Sequence, residues 1–204
     1  MKRANKIFLI PFNISCMMKK MLLCVLMVFT ALASWGDADV QRGSVLPLKE
    51  KGVQVSVTWD YKNMLIEDMK PADFLREKGA EWQRDYPNEV AAAEAAFVKK
   101  FNKKSKKYAQ ITDSKRDAQY ELVIHVAKFH YGSTAVGILF GSFARGAHIE
   151  GRADVVDCST KQVIATIEFE CAGESSYGNE RRRIYAYEDL AQDLAKLVSK
   201  AKNK

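Results

Sequence analysis

The chain has 204 residues, with 32 basic against 25 acidic side chains, a net charge of +7, and 48% hydrophobic residues. That length holds one domain with an adequate core, and the composition excludes a disordered or fibrous chain. The positive charge does not mark a nucleic-acid binder: residues 1–33 hold five basic side chains and no acidic one, so the rest carries 27 against 25, or +2.

From Met17 the chain reads Met-Met-Lys-Lys, then an apolar run from Met21 to Leu32 that closes on Ala31-Leu32-Ala33. A charged n-region, an h-region of about 12 residues and an A-x-A site at Ala31 and Ala33 make a secretory signal peptide. The run falls short of the roughly 20 apolar residues that cross a bilayer, so no transmembrane span is expected in the mature chain. Either Met1 or the Met17-Met18 pair serves as the start. Cleavage is expected after Ala33, with Ala38 as the alternative, leaving 34–50 as a flexible lead-in and 51–204 as a single domain. Cys24 lies inside the h-region behind Leu23 and has no lipobox around it, so the protein is not expected to be lipid-anchored.

Val53 to Trp59 alternates apolar and polar residues, the mark of a strand with one buried face. Residues 71–79 suit a short helix starting at Pro71. A longer helix is expected over about 87–106, opened by Pro87 and Asn88, with Val90, Ala93, Phe97 and Phe101 on one stripe. Lysines at 99, 100, 103, 104, 106 and 107 suit its C-terminal end and its solubility; contact with anionic lipid headgroups is the other use for them.

Residues 119–131 read as a central strand, apolar on both faces at Leu122 to Val126, so a cover is expected on each side. A glycine-punctuated apolar segment, 132–146, follows. Two more strands flank a turn at Asp157 to Gln162, and their apolar faces pair in a register that sets Arg152 opposite Glu168 and Cys171 opposite Ile149. Cys158 and Cys171 then fall at opposite ends of one strand, too far apart for a disulfide. An amphipathic helix from Asn179 closes the chain. The order β–α–α–β–β–β–α describes a two-layer α+β domain: a mixed, mainly antiparallel sheet of about four strands, its first two parallel, packed by helices.

Asp117 to Leu122, the glycine-rich segment, the run Val155 to Ala165 and the closing helix together resemble a group of exported and lipoprotein-like envelope proteins of Gram-negative bacteria. Their domains are similar to the N-terminal domain of TolB and to the periplasmic part of the curli secretion channel. The resemblance implies an envelope location, periplasmic or outer-envelope associated, and a protein partner, with no catalytic residue. Lys161 stands where the pattern has glycine, which calls for a positive φ at a residue with a Cβ.

No motif indicates an enzyme. Ser133, Ser142 and Ser159 lack a nucleophile elbow, and Gly137 and Gly141 lack the lysine of a phosphate loop. His130, His148 and Glu150 come together only if the glycine-rich segment is a hairpin centred near Leu139; a zinc-holding set would then be weighed against an ordinary polar sheet face, which is the expectation. His125 and His130 fall on opposite faces of a regular strand. No metal or cofactor is expected. Val136, Ile138, Leu139, Phe140 and Phe143 are the candidates for partner contact. Arg181, Arg182 and Arg183 are the candidates for an anion, weighed against a solvated helix face. Trp59, Trp82 and Tyr61 are aromatic residues suited to stacking on a sugar, although core packing is the commoner use. The expected function is a non-enzymatic envelope module that binds another protein, and the alternative is a periplasmic binder of a carbohydrate or anion.

Overall fold

The alternating and helical patterns of the sequence appear in the computed structural model, which describes residues 38–132, 146–174, 176 and 178–202. Seven strands form one sheet: β1 Ala38–Gly43, β2 Gln54–Asp60, β3 Leu65–Ile66, β4 Gln110–Ile111, β5 Tyr120–His130, β6 His148–Asp157 and β7 Val163–Ala172. Three helices accompany them: α1 Pro71–Lys78, α2 Ala80–Ser105 and α3 Asn179–Lys200. The class is α+β. The sheet order is β1-β7-β6-β5-β2-β4, with β3 against β5.

The four long strands lie where their alternation places them, and β2 and β5 are parallel, as two strands separated by helices require. Three short strands raise the count above the expected four. Two of them have only two residues, too few to show a period. The third, β1, pairs antiparallel with β7 inside the stretch expected to be a flexible lead-in. After it, a 3-10 turn at Leu46–Lys49 buries Val45 and Leu48, and Lys49 Nζ donates to the Ala201 carbonyl at 2.6 Å. Residues 38–49 are therefore part of the domain; their small buried set is too sparse to read as periodic.

Helix α2 begins at Ala80 rather than at the expected Pro87, which lies inside it. Proline inside a helix forfeits one hydrogen bond and disturbs the preceding turn. Tertiary packing offsets that cost: Trp82 meets Phe74 and Tyr131 edge-on, with ring centroids at 5.4 and 5.2 Å. Further along, Ala93, Phe97 and Phe101 are buried as their spacing requires.

All three helices pack on one face of the sheet. Tyr187 of α3 and Phe97 of α2 both meet Trp59 of β2, and Phe74 of α1 stacks on Tyr131 just past β5. Leu122, Ile124, Val126, Ile149, Ala153, Ile167 and Cys171 supply the sheet's half of this core. Burying each large apolar side chain stabilises by about 1.5–3 kcal/mol. No helix among the described residues covers the opposite face, so the expected second cover is absent over most of it and Val123 stays half-buried, although Lys115 reaches Thr58 at 3.0 Å and Glu121 at 3.7 Å there.

The turn between β6 and β7 matches its sequence. The Asp157 carboxylate accepts from the Ser159 hydroxyl and from the Ser159 and Thr160 backbone N–H groups, and Lys161 adopts φ +59. Arg152 lies opposite Glu168 and Ile149 opposite Cys171. Cys158 and Cys171 are both free thiols, the first half-exposed and the second buried.

Candidate functional site on the open face of the sheet

One irregularity decides what the open face carries. In β5 the register with β6 shifts between Val126 and Lys128. The bulge at Ala127 inserts one residue, so the buried positions change from Leu122, Ile124 and Val126 to Phe129 and Tyr131. His125 and His130, expected on opposite faces, consequently share the open one. The bulge has a partner in β6: an ideal Cβ at Gly151 would lie 2.2 Å from the His125 carbonyl oxygen, a separation only glycine permits.

Around that bulge the open face is charged. His125 places Nδ1 2.8 Å from Asp60 Oδ2 and Nε2 3.3 Å from Asp154 Oδ2. Arg152 reaches the same Asp154 carboxylate at 3.2 Å, and Thr166 donates to its other oxygen at 2.9 Å. The Lys62 backbone N–H first, and then His125, hold the Asp60 carboxyl below the usual carboxylate range. Glu150, Glu168 and Glu170 complete a shallow depression of about 730 Å³ along β1, β7, β6 and β5. Carboxylates outnumber cations across it.

At the far end of β5 and β6, His130 pairs directly with His148. Their rings stack at 4.5 Å with an interplanar angle of 20°. Glu150 lies two residues along β6 on the same face, its Oε1 3.7 Å from His148 Nε2. One donor atom from each of His130, His148 and Glu150 lies within 4.8 Å of the other two. Sequence reasoning missed Glu67, whose Oε2 lies 3.2 Å from His130 Nδ1 while its Oε1 accepts the Tyr131 N–H at 2.7 Å. Glu67 is 63 residues from His130, in a tight turn at positive φ (+48), and no spacing rule connects the two.

The three consecutive arginines do not form a site. Arg181 is exposed and donates to the Tyr185 hydroxyl at 3.1 Å. Arg182 is buried and donates to the Ser176 carbonyl at 2.8 Å. Arg183 is fully buried: Nε donates to Glu89 at 2.6 Å and Nη2 to the Tyr131 hydroxyl at 2.7 Å, with Phe129 3.9 Å beneath the guanidinium. Burial works against its charge, but Tyr131, Tyr187, Tyr86 and Glu89 hold its pKa above the ordinary value. The arginines diverge and two of the three are buried with internal partners, so they do not assemble the expected anion site. Trp59 and Tyr61 are half-buried and pack against the core, stacked on each other at 6.0 Å, with the Tyr61 hydroxyl donating to Glu94 at 2.7 Å. The partner-contact candidates Val136, Ile138, Leu139, Phe140 and Phe143 lie outside the described residues.

Another cluster lies on the covered side, where Cys171, Asp189 and Asp193 bring donor atoms within 4.8 Å of one another. Burial first, and then the charge of Asp193, push the Asp189 carboxyl up to about 6. Among the described residues no helix is long and apolar enough to cross a membrane.

No protein-family model matches the chain, and a search of curated proteins finds no match. Among solved structures, the PelC dodecamer of Paraburkholderia phytofirmans is similar at 17% identity and a TM-score of 0.44, over 78% of this chain and 97% of that one. A Xanthomonas campestris protein of the DUF330 family aligns at 16% identity and a TM-score of 0.36, over 74% and 82%. A Helicobacter pylori protein described as a neuraminyllactose-binding hemagglutinin homolog aligns at 13% identity and a TM-score of 0.32, over 78% and 89%. At these scores the likenesses carry no function to this chain, and none of the three is TolB or a curli secretion channel.

Proposed function

We propose that this chain is an exported, non-enzymatic domain of the cell envelope that docks another protein on the open face of its sheet. One observation carries the reading: every helix among the described residues packs on the same side, leaving β5, β6 and β7 to present a continuous charged surface. Asp60, Glu150, Asp154, Glu168 and Glu170 give that surface an acidic excess around Arg152. A partner with a basic patch complements it, and such charge steers association and weakens as salt rises. Strand β1 adds an outer edge for strand addition, in which main-chain hydrogen bonds supply affinity.

The leader, residues 1–33, supports export. Cleavage after Ala33 is favoured over cleavage after Ala38, because Ala38 is buried in β1 opposite Phe169. A photo-crosslinking residue at Glu168, compared with one at Lys103 on the outer face of α2, tests the proposal in intact cells. A single discrete adduct from Glu168 and none from Lys103, on a protein whose mass begins at Ser34, is the expected result. Adducts from Lys103 alone, or a retained leader, would overturn it.

A further inference from the structure

We infer that the paired ends of β5 and β6 bind one divalent transition-metal ion, with zinc as the type, through His130, His148 and Glu150. Zinc takes imidazole nitrogen and carboxylate oxygen at about 2.0–2.2 Å, which separates tetrahedral donors by about 3.4 Å. His148 Nε2 and Glu150 Oε1 already lie 3.7 Å apart, and all three donors fall within 4.8 Å of one another. Closing that set requires the two stacked rings to tilt until their in-plane lone pairs converge on one point, on strands whose register is fixed.

The second support is orientation. A metal-ligating histidine characteristically gives its other ring nitrogen to a carboxylate, which sets the tautomer and aims the ligand. Glu67 is placed for that task at His130 Nδ1, and the Tyr131 N–H pins it from behind. His130 Nε2 is the nitrogen left for the ion. Glu67 and Glu150 together balance a double positive charge. The side chains of His130 and His148 are only 18% and 20% exposed, so the ligands are partly desolvated and held before the ion arrives. Two imidazoles in three ligands exclude calcium and magnesium, which take oxygen. The fourth tetrahedral position falls to water.

The cluster of Cys171, Asp189 and Asp193 is the weaker competitor. It has no imidazole, and Lys196 Nζ lies 3.4 Å from Asp193 Oδ1. The histidine site stands whether or not the open face also docks a protein.

Calorimetric titration of Zn²⁺ into the purified, chelator-stripped protein tests the inference, in a Cys158→Ser background that removes the half-exposed thiol. One equivalent binds the parent. His130→Ala and His148→Ala each weaken binding at least about 100-fold, and Glu67→Gln weakens it by about 10-fold, as loss of an orienting group does. Far-UV circular dichroism without metal confirms that each variant is folded, and His148→Gln replaces His148→Ala where it is not. Co²⁺ gives a visible tetrahedral spectrum in the parent that disappears in His130→Ala. No stoichiometric uptake by the parent, or uptake unchanged in both histidine variants, would overturn the site.

Discussion

The two faces of one sheet handle charge in opposite ways. On the covered face, Arg183 is enclosed by Glu89, Tyr131 and the ring of Phe129, and its partners fix it in one place. On the open face, His125, Asp60 and Arg152 are bonded around the more shielded Asp154 yet remain accessible, with Arg152 about half exposed. Charge of the first kind specifies the packing of α3 against α2 and β5. Charge of the second kind costs little to rearrange and is therefore available to a ligand or partner. The difference teaches where function lies in a domain with helices on a single side.

The sharpest way to break this contrast is to remove one member of the buried pair. Glu89→Ala or Arg183→Met leaves an unpaired charge or orphaned polar groups in the core, and a loss of about 3–5 kcal/mol in urea denaturation is expected. A loss under about 1 kcal/mol would show that the pair is solvated. Next comes Gly151→Ala, whose Cβ meets the His125 carbonyl at 2.2 Å and the edge of Phe169 at 2.9 Å. Its expected cost is about 2 kcal/mol. Because it strains the bulge that brings His130 onto the open face, it is also expected to weaken Zn²⁺ binding, measured by the same titration.

A smaller effect belongs to Asp189, whose carboxyl is pushed up to about 6 from its ordinary value of 3.8. The folded state holds this proton more tightly than the unfolded one. Its stabilising contribution is full below about pH 4 and is lost as pH rises through about 6. Lowering the pH from 7 to 5 is therefore expected to raise this group's contribution, and Asp189→Asn to stabilise the protein at pH 7 by about 1 kcal/mol, discounted for partial exposure. Denaturation midpoints of parent and variant at the two pH values check the sign; an equal pH response in both would contradict it. Smallest is Arg152→Gln on the open face, expected to change stability by under about 0.5 kcal/mol, since exposed ion pairs contribute little.

Much of the covered face was legible in the sequence. Strict alternation located β2, β6 and β7, and the pairing of their apolar faces set the register down to Arg152 opposite Glu168. The stripe from Ala93 to Phe101 located the core side of α2. The bulge was not legible as such, because one inserted residue leaves only a change of parity, from Ile124 and Val126 to Phe129 and Tyr131. That change was visible in the apolar positions and marks where alternation breaks. Pro87 misled because propensity was read without the packing of Trp82. The arginines misled because charge was read before phase: Arg183 precedes Tyr187, Leu190 and Leu194 on the buried stripe of α3. Glu67 left no signal in the sequence, since its link to His130 is made only by the fold.

The most direct test of the open face as the working surface is one variant read in two ways. Glu168→Lys combined with Glu170→Lys reverses charge on β7 at two exposed positions away from the core. Its denaturation midpoint is measured beside the size of the protein's complex in envelope extracts. Stability within about 0.5 kcal/mol of the parent and loss of the complex are expected. A complex that survives unchanged in the folded variant would contradict the assignment of function to this face.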